Sequence, residues 1–170
     1  HIRGYAADDN RLARELFERA ISLDPRFALA HAYLALALLC EHGYGDAPGP
    51  IKEEALSAAL TGLRLDPNEC RCHQFLAQAY RYRGEYDLAL SHFERSAALN
   101  PNDANGLAMM GSNLCSVGRA EEAVELIRKA MRLDPFHPEW YWSGLGIACY
   151  AAHRYEEALD AQRRLSSHKR

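Results

Sequence analysis

The chain has 170 residues, of which 48% are hydrophobic and 25% are charged, a balance that is ordinary for a folded globular protein. Its formal net charge of -3 lacks the basic excess that nucleic-acid binding requires, and we expect neither a signal peptide nor a membrane span of about 18 apolar residues. The odd total of 5 cysteines favours free thiols in a reducing compartment. We therefore expect a cytoplasmic protein that binds neither nucleic acid nor membrane.

The first residues are predicted to belong to two helices. Residues 1–7 are interpreted as the end of one helix, and residues 8–22 as a second helix without its partner. Because the chain begins with His1 and not with methionine, we interpret it as a fragment of a longer protein. The next predicted helix, residues 26–41, is apolar on almost every side, so either an upstream helix or a bound partner should cover it.

A loop rich in glycine and proline, residues 42–50, follows this helix. It lacks the Gly-Lys-Ser/Thr ending of a phosphate-binding loop. Two interpretations stay open: an insertion that the fold tolerates, or a partner-contacting loop with Tyr44 at its tip.

Seven further helices are predicted after this loop, and a short solvated tail follows them. Their ranges are 51–65, 68–83, 85–99, 102–117, 119–133, 138–152 and about 155–165, with the tail at 166–170. Gly84 and Gly118 separate helices within a pair, whereas His153 stands at the corresponding place in the last pair. Pairs of glutamates are expected in the first turn of second helices, where they complement the helix dipole. These pairs are Glu53/Glu54, Glu121/Glu122 and Glu156/Glu157.

The helices repeat with a nearly constant period. The closing prolines, Pro25, Pro67, Pro101 and Pro135, are separated by 42, 34 and 34 residues. The alanines that open the second helices, Ala13, Ala55, Ala89, Ala123 and Ala158, are separated by 42, 34, 34 and 35 residues. A period near 34 is typical of a solenoid of helix–turn–helix repeats.

The residues inside each repeat specify the kind of solenoid. First helices carry a large residue, a small one directly after it and a third apolar one three further on, as in Leu76-Ala77-Tyr80 and Met110-Gly111-Leu114. Second helices carry a spaced triplet such as Ala89, Phe93 and Ser96, or Ala123, Ile127 and Ala130. In these features the chain resembles the tetratricopeptide repeat family. The resemblance implies an all-α, right-handed superhelical solenoid of antiparallel helix pairs, with about nine helices.

We expect one continuous array over residues 1–170. Its predicted segments are a truncated repeat at 1–27, a repeat at 28–69 that contains the loop insertion at 42–50, repeats at 70–103 and 104–138, and a last repeat with the tail at 139–170.

The resemblance also implies the function of a non-catalytic scaffold, whose first helices line a concave groove for a protein or peptide ligand. Carried over by position, the groove residues are Arg71, Gln74, Gln78, Arg81, Tyr82, Asn105, Ser112, Trp140 and Tyr150. The two arginines suit an acidic side chain or a terminal carboxylate, unless Glu69 or Asp87 already binds them. Trp140 is expected to face the groove and Trp142 the core.

No catalytic motif, cofactor site or metal site is expected. Cys70, Cys72 and His73 form the one cluster with ligand chemistry, but side chains two residues apart on a helix diverge, and a second ligand pair is missing nearby. Two alternatives stay open beside the scaffold: a self-association module, giving a homo-oligomer, that regulates an attached signalling enzyme or transcription regulator, and a thiol or metal enzyme. The chain also resembles the repeat arrays of bacterial signalling proteins, notably nucleotide cyclases and some transcription regulators.

Overall fold

The computed structural model describes the backbone of residues 2–42 and 47–167, and the side chains of residues 9–42 and 47–165. Within these ranges the chain forms nine α-helices and no strand, so the predicted all-α helical repeat fold is confirmed. The helices are α1 Ile2–Leu23, α2 Ala28–Glu41, α3 Gly49–Leu65, α4 Cys70–Tyr82, α5 Tyr86–Leu99, α6 Ala104–Ser116, α7 Ala120–Leu133, α8 Trp140–Ala151 and α9 Tyr155–Ser167. None of these helices has the length and apolar character that a bilayer crossing needs.

The start of the chain differs from the prediction. α1 runs without interruption from Ile2 to Leu23, so the predicted break between residues 7 and 8 is wrong. No glycine or proline lies between Tyr5 and Leu23, and a helix that is already hydrogen-bonded needs no new cap at the polar residues near position 8.

α1 also answers the question of what covers the apolar helix α2. The ring of Phe17 on α1 stacks on Tyr33 of α2, with centroids 5.4 Å apart, and Tyr33 meets the ring of Phe75 on α4 at 4.8 Å. α2 also packs against α3. Of the two alternatives for this helix, cover by an upstream helix is the one that the structure shows, and α1 supplies part of that cover.

The loop predicted at residues 42–50 ends two residues earlier than predicted. α3 begins at Gly49, so Pro50 lies in the first turn, where a missing backbone N–H costs nothing. As a consequence Glu53 and Glu54 lie outside that turn, which contains no acidic residue, so their predicted place was wrong. The proposed contact residue Tyr44 lies outside the described residues.

The chain divides into two compact units, residues 1–99 and residues 100–170. In the first unit α2 pairs with α3 and α4 with α5, and α4 also packs on both α2 and α3. In the second unit α6 pairs with α7 and α8 with α9, and α8 packs on both α6 and α7. Each of these four pairs falls inside one predicted repeat segment.

Small residues let the helices of a pair come close together. A Cβ atom on Gly111 of α6 would lie 2.6 Å from Cγ1 of Ile127 and 3.2 Å from the carbonyl oxygen of Ala123, both on α7. In the first unit, a Cβ on Gly62 of α3 would lie 2.9 Å from the carbonyl oxygen of Ala28 on α2. The small residue of the repeat motif therefore occupies the point of closest approach between the helices.

The turns inside the last three pairs share one backbone conformation. Gly84, Gly118 and His153 have positive φ angles of 83°, 77° and 60°. In each turn the N–H of the next residue donates to a carbonyl five residues earlier, from Glu85 to Tyr80 at 3.0 Å, from Arg119 to Leu114 at 2.9 Å and from Arg154 to Cys149 at 2.8 Å. His153 thus adopts the left-handed conformation that glycine adopts in the two earlier turns.

Candidate functional site

Polar side chains follow one face of α4, at four of the positions predicted for the groove. We call Arg71, Gln74, Gln78 and Arg81 the α4 polar row; their spacing of three, four and three residues keeps them on one side of the helix. Nη1 of Arg71 donates to Oε1 of Gln74 at 2.8 Å. Glu69, which was considered as a partner for this arginine, accepts the backbone N–H of Arg71 at 3.0 Å and so caps the helix.

The two glutamines of the polar row are buried although they are hydrophilic, whereas Arg71 and Arg81 are half-buried. Gln74 is 0% exposed and Gln78 is 4% exposed. Buried amide and guanidinium groups are normally hydrogen-bonded, because leaving one unpaired costs about 1–3 kcal/mol. Oε1 of Gln78 and Nε of Arg81 are nevertheless buried without a hydrogen-bond partner. The row therefore contains one acceptor and one donor without a hydrogen-bond partner, both just below the surface.

Tyr82 completes the predicted set in this unit. Its ring centroid lies 5.3 Å from the guanidinium carbon of Arg81, a cation–π distance. Burial raises the pKa of the Tyr82 hydroxyl, while the charge of Arg81 and a hydrogen bond from it act in the opposite direction. Tyr82 is therefore a neutral, half-buried ring that supports the position of Arg81.

The predicted residues of the second unit take part in helix packing. Oδ1 of Asn105 on α6 accepts the hydroxyl of Tyr141 on α8 at 2.9 Å, and Tyr141 is fully buried. The hydroxyl of Ser112 donates to the carbonyl oxygen of Ala108 at 3.1 Å, within α6. A Cβ on Gly144 of α8 would lie 3.3 Å from this same hydroxyl oxygen. Asn105 and Ser112 thus lie where α8 packs on α6.

The aromatic residues of α8 are arranged differently from the prediction. Both Trp140 and Trp142 are half-buried, and the residue between them, Tyr141, takes the core position. The expectation that Trp142 enters the core is therefore wrong: the buried phase of the helix runs through Tyr141, Leu145 and Ala148. The guanidinium of Arg164 lies 4.9 Å from the ring of Trp142 and occupies one face of it.

Tyr150, the last predicted groove residue, belongs to an apolar surface on the final helix pair. Tyr150 is 68% exposed, and its ring meets that of Tyr155 on α9 edge-on, with centroids 5.6 Å apart. Ile147 and Leu159 beside it are 61% and 59% exposed. Tyr155 and Leu159 were not selected from the sequence, because residue spacing alone does not reveal which apolar side chains stay exposed.

Cys70, Cys72 and His73 at the start of α4 contact different neighbours. Burial, with the charges of Glu69 and Asp66 adding to it, raises the pKa of the Cys72 thiol to about 12. Nε2 of His73 lies 3.1 Å from the carbonyl oxygen of Pro67, and its Nδ1 lies 3.1 Å from Nδ1 of His92. Within the part of the chain that the structure describes, no three His, Cys, Asp or Glu side chains converge as metal ligands would.

Comparison with protein families identifies the repeat. Two models, both described as tetratricopeptide repeat, match residues 70–103 and 108–166, which together make up more than half of the chain. Among curated proteins, Superkiller complex protein 3 from Mus musculus is 32% identical over 71 residues, which are 42% of this chain and 4% of that protein. Transcriptional regulator HilA from Salmonella typhimurium is 30% identical over 114 residues, which are 67% of this chain and 20% of that protein. The chain thus spans a fifth or less of either relative.

Solved structures show the same fold. The thermophilic TPR protein TTC0263 of Thermus thermophilus aligns with a TM-score of 0.75 and 22% identity over 98% of this chain and 93% of that chain. YrrB, described as a TPR protein with an unusual peptide-binding site, aligns with a TM-score of 0.61 and 20% identity over 95% of this chain and 78% of that chain. At these identities the likeness shows the fold alone.

Proposed function

Because the chain belongs to the tetratricopeptide repeat family, a family of protein-interaction modules, we propose that it is a non-catalytic scaffold that binds a peptide segment or a neighbouring domain. The observation that carries the proposal is the pair of unused groups on the α4 polar row. A peptide bond offers an N–H donor and a carbonyl acceptor, which are the two partners that Oε1 of Gln78 and Nε of Arg81 lack.

Arg81 also defines the chemistry of the preferred ligand. Its guanidinium carries a full positive charge, and charge-assisted hydrogen bonds to a carboxylate are roughly twice as strong as neutral ones. The ring of Tyr82 and the bond between Arg71 and Gln74 hold the row in position before a ligand arrives. We therefore expect peptides that place an acidic side chain or a terminal carboxylate next to Arg81.

Asn105, Ser112, Trp140 and Tyr150 remain proposed members of the ligand surface in the second unit. Support for a peptide ligand comes from YrrB, whose title names a peptide-binding site, and from the Peroxisomal targeting signal receptor of Candida albicans, which is 27% identical over 105 residues. The similarity to the regulator HilA supports the further proposal that the chain is the interaction part of a longer bacterial regulatory protein in the cytoplasm.

The proposal is tested by selection from a displayed library of short, unbiased peptides. Binders of the wild-type chain are then measured against the Gln78→Met and Arg81→Met variants, which keep side-chain volume but lose the polar atoms. Losing one charged hydrogen bond, about 1.5–3 kcal/mol, should weaken binding at least tenfold in Arg81→Met. Arg95→Met, at an exposed arginine of α5 in the same repeat, is the matched control and should bind as wild type does.

Two results would contradict the proposal. One is a selection that yields no binder at all from the wild-type chain. The other is a set of binders whose affinity is the same for wild type, Gln78→Met and Arg81→Met, because the ligand would then not lie on the α4 polar row.

A further inference from the structure

Two histidine rings meet between α4 and α5, away from the residues proposed for the peptide site. Nδ1 of His73 on α4 lies 3.1 Å from Nδ1 of His92 on α5, and the ring centroids are 5.3 Å apart. His73 is buried, and His92 is half-buried. The sequence did not reveal this pair, because 19 residues separate its members. The fold thus places two nitrogen ligands side by side.

The hydrogen bonds of His73 determine which of its ring nitrogens carries the proton. Its Nε2 lies 3.1 Å from the carbonyl oxygen of Pro67, which can only accept, so in the neutral ring Nε2 is the donor and Nδ1 the acceptor. Nδ1 of His92 then donates to Nδ1 of His73. Metal-binding histidines have this same arrangement, in which one ring N–H is held by a carbonyl and the other nitrogen points its lone pair at the metal.

The distance between the two Nδ1 atoms suits a shared metal ion. Zinc–nitrogen bonds are about 2.0–2.1 Å long. Two such bonds that end on nitrogens 3.1 Å apart enclose about 98° at the metal, and an N–N distance greater by about 0.25 Å gives the tetrahedral angle of about 109°. Tyr80 stacks on the ring of His92, with centroids 5.7 Å apart and planes within 15°, and so restricts its orientation.

The neighbouring repeats separate the structural role of His73 from the role of the pair. The first helices of this repeat and the one before are 42 residues apart, which places His31 at the position of His73. Nε2 of His31 lies 3.0 Å from the carbonyl oxygen of Pro25, so it makes the same bond. The second helices are 34 residues apart, and there Ala58 stands where this repeat has His92. The bond to the carbonyl therefore does not require a second histidine.

We propose that His73 and His92 bind one divalent transition-metal ion of the zinc class through their Nδ1 atoms, and that this ion joins α4 to α5. Imidazole nitrogen is a preferred ligand of zinc, copper and nickel. The metal takes the place of the proton between the rings, and His92 carries its proton on Nε2 instead, so no net proton is released. Water completes the coordination. With two protein ligands, and with the charge of Arg95 acting on His73, the site is weaker than a zinc site with four ligands.

Zinc itself is the probe for the test. Calorimetric titration of the metal-free chain with Zn²⁺ measures affinity, and the ¹⁵N shifts of the imidazole rings locate the ion. We expect one Zn²⁺ per chain, shift changes at Nδ1 of both histidines, and a proton on Nε2 of His92. The thermal midpoint should rise with Zn²⁺, because the pair exists only in the folded chain. Mg²⁺ prefers oxygen ligands and should produce none of these changes.

Three variants complete the experiment. His92→Gln removes one ligand but keeps a polar group beside His73, so the fold should survive, which circular dichroism checks. Its zinc affinity should fall at least tenfold, since even changes outside the ligand shell typically cost 10–100-fold. His31→Gln is the matched control, at the histidine that has the same carbonyl bond but no histidine partner in α3. Cys70→Ser tests for a thiol ligand, and both of these variants should bind as wild type does.

Several outcomes would overturn the proposal. One is a wild-type chain in which Zn²⁺ moves neither Nδ1 signal of the pair. Another is equal zinc affinity for wild type and His92→Gln. A third is a loss of binding in Cys70→Ser or His31→Gln as large as that in His92→Gln, which would place the ion elsewhere. The histidine pair and the α4 polar row share no residue, so failure here leaves the proposed peptide site unaffected, and the reverse holds too.

Discussion

Gly111 provides a direct test of the idea that small residues set the distance between paired helices. In Gly111→Ala the new Cβ would lie 2.6 Å from Cγ1 of Ile127, far inside the contact distance of two carbon atoms. Ile127 is 1% exposed and branched at Cβ, so it has little freedom to rotate away. The helices α6 and α7 must therefore move apart to admit one methyl group.

The expected change in the free energy of unfolding follows from two opposing effects. Alanine in place of glycine in a helix interior stabilises by about 0.8–1 kcal/mol. Overpacking a close-packed contact costs about 1–3 kcal/mol. The net change for Gly111→Ala is therefore a loss of up to about 2 kcal/mol in the free energy of unfolding.

The same substitution one repeat later, Gly146→Ala, should change the free energy of unfolding in the opposite direction. A Cβ on Gly146 would lie 3.7 Å from the carbonyl oxygen of Ala158 and 3.7 Å from Cβ of Ala161, which is ordinary contact. Gly146→Ala should thus show only the stabilising effect of about 0.8–1 kcal/mol. Because both substitutions are chemically identical and occupy the same repeat position, the difference between them measures the packing cost alone, about 1–3 kcal/mol.

Urea denaturation followed by circular dichroism measures both variants. Thermal unfolding gives a second readout, because about 1 kcal/mol moves the midpoint by roughly 2–4 °C in a chain of this size. We expect a lower midpoint for Gly111→Ala and a higher one for Gly146→Ala. If Gly111→Ala were as stable as Gly146→Ala, the close approach of α6 and α7 would not depend on glycine, and the reasoning would be refuted.

Three further predictions concern single side chains. Burial lowers the pKa of His73 and of His92, so below about pH 6.5 the unfolded chain takes up protons before the folded chain does. The urea midpoint should therefore be constant above that pH and fall toward pH 5, which is above the range where carboxylates titrate. His73→Gln should reduce this fall. His153→Gly should raise the midpoint, because a non-glycine residue at a φ of 60° costs roughly 1–2 kcal/mol; an unchanged or lower midpoint would mean that its 2.8 Å contact with Tyr155 offsets the strain. Cys72, 0% exposed and with its thiol pKa raised to about 12, should resist iodoacetamide at pH 8 until urea unfolds the chain; mass spectrometry showing modification in the folded state would contradict this.

The repeat and most helix ends were predictable from the sequence, because they depend on residues whose local effect is strong. Proline closes a helix wherever it stands after the first turn, and glycine at Gly84 and Gly118 marks the left-handed turn between paired helices. The prediction that His153 takes the same place was confirmed by its positive φ angle. The small residue of each motif, such as Gly111, repeats with the same spacing, and the structure places it between paired helices.

Other features depended on the neighbours that only the tertiary structure brings together. Helical periodicity leaves the buried phase uncertain by one residue in an aromatic stretch, and packing on α6, with the hydrogen bond to Asn105, decided it in favour of Tyr141 over Trp142. The unused polar atoms of Gln78 and Arg81 are a property of their surroundings and not of their residue types.

Two residues in equivalent places of successive repeats show the same division most clearly. Leu159 and Val124 occupy equivalent places in successive repeats and are both aliphatic, yet one is 59% exposed and the other is 0% exposed. The sequence by itself determined the repeat and the apolar character of these positions, since both follow from residue spacing. Only the tertiary structure decided which of them is covered, because burial depends on the packing of α8 against α7, a contact between distant residues.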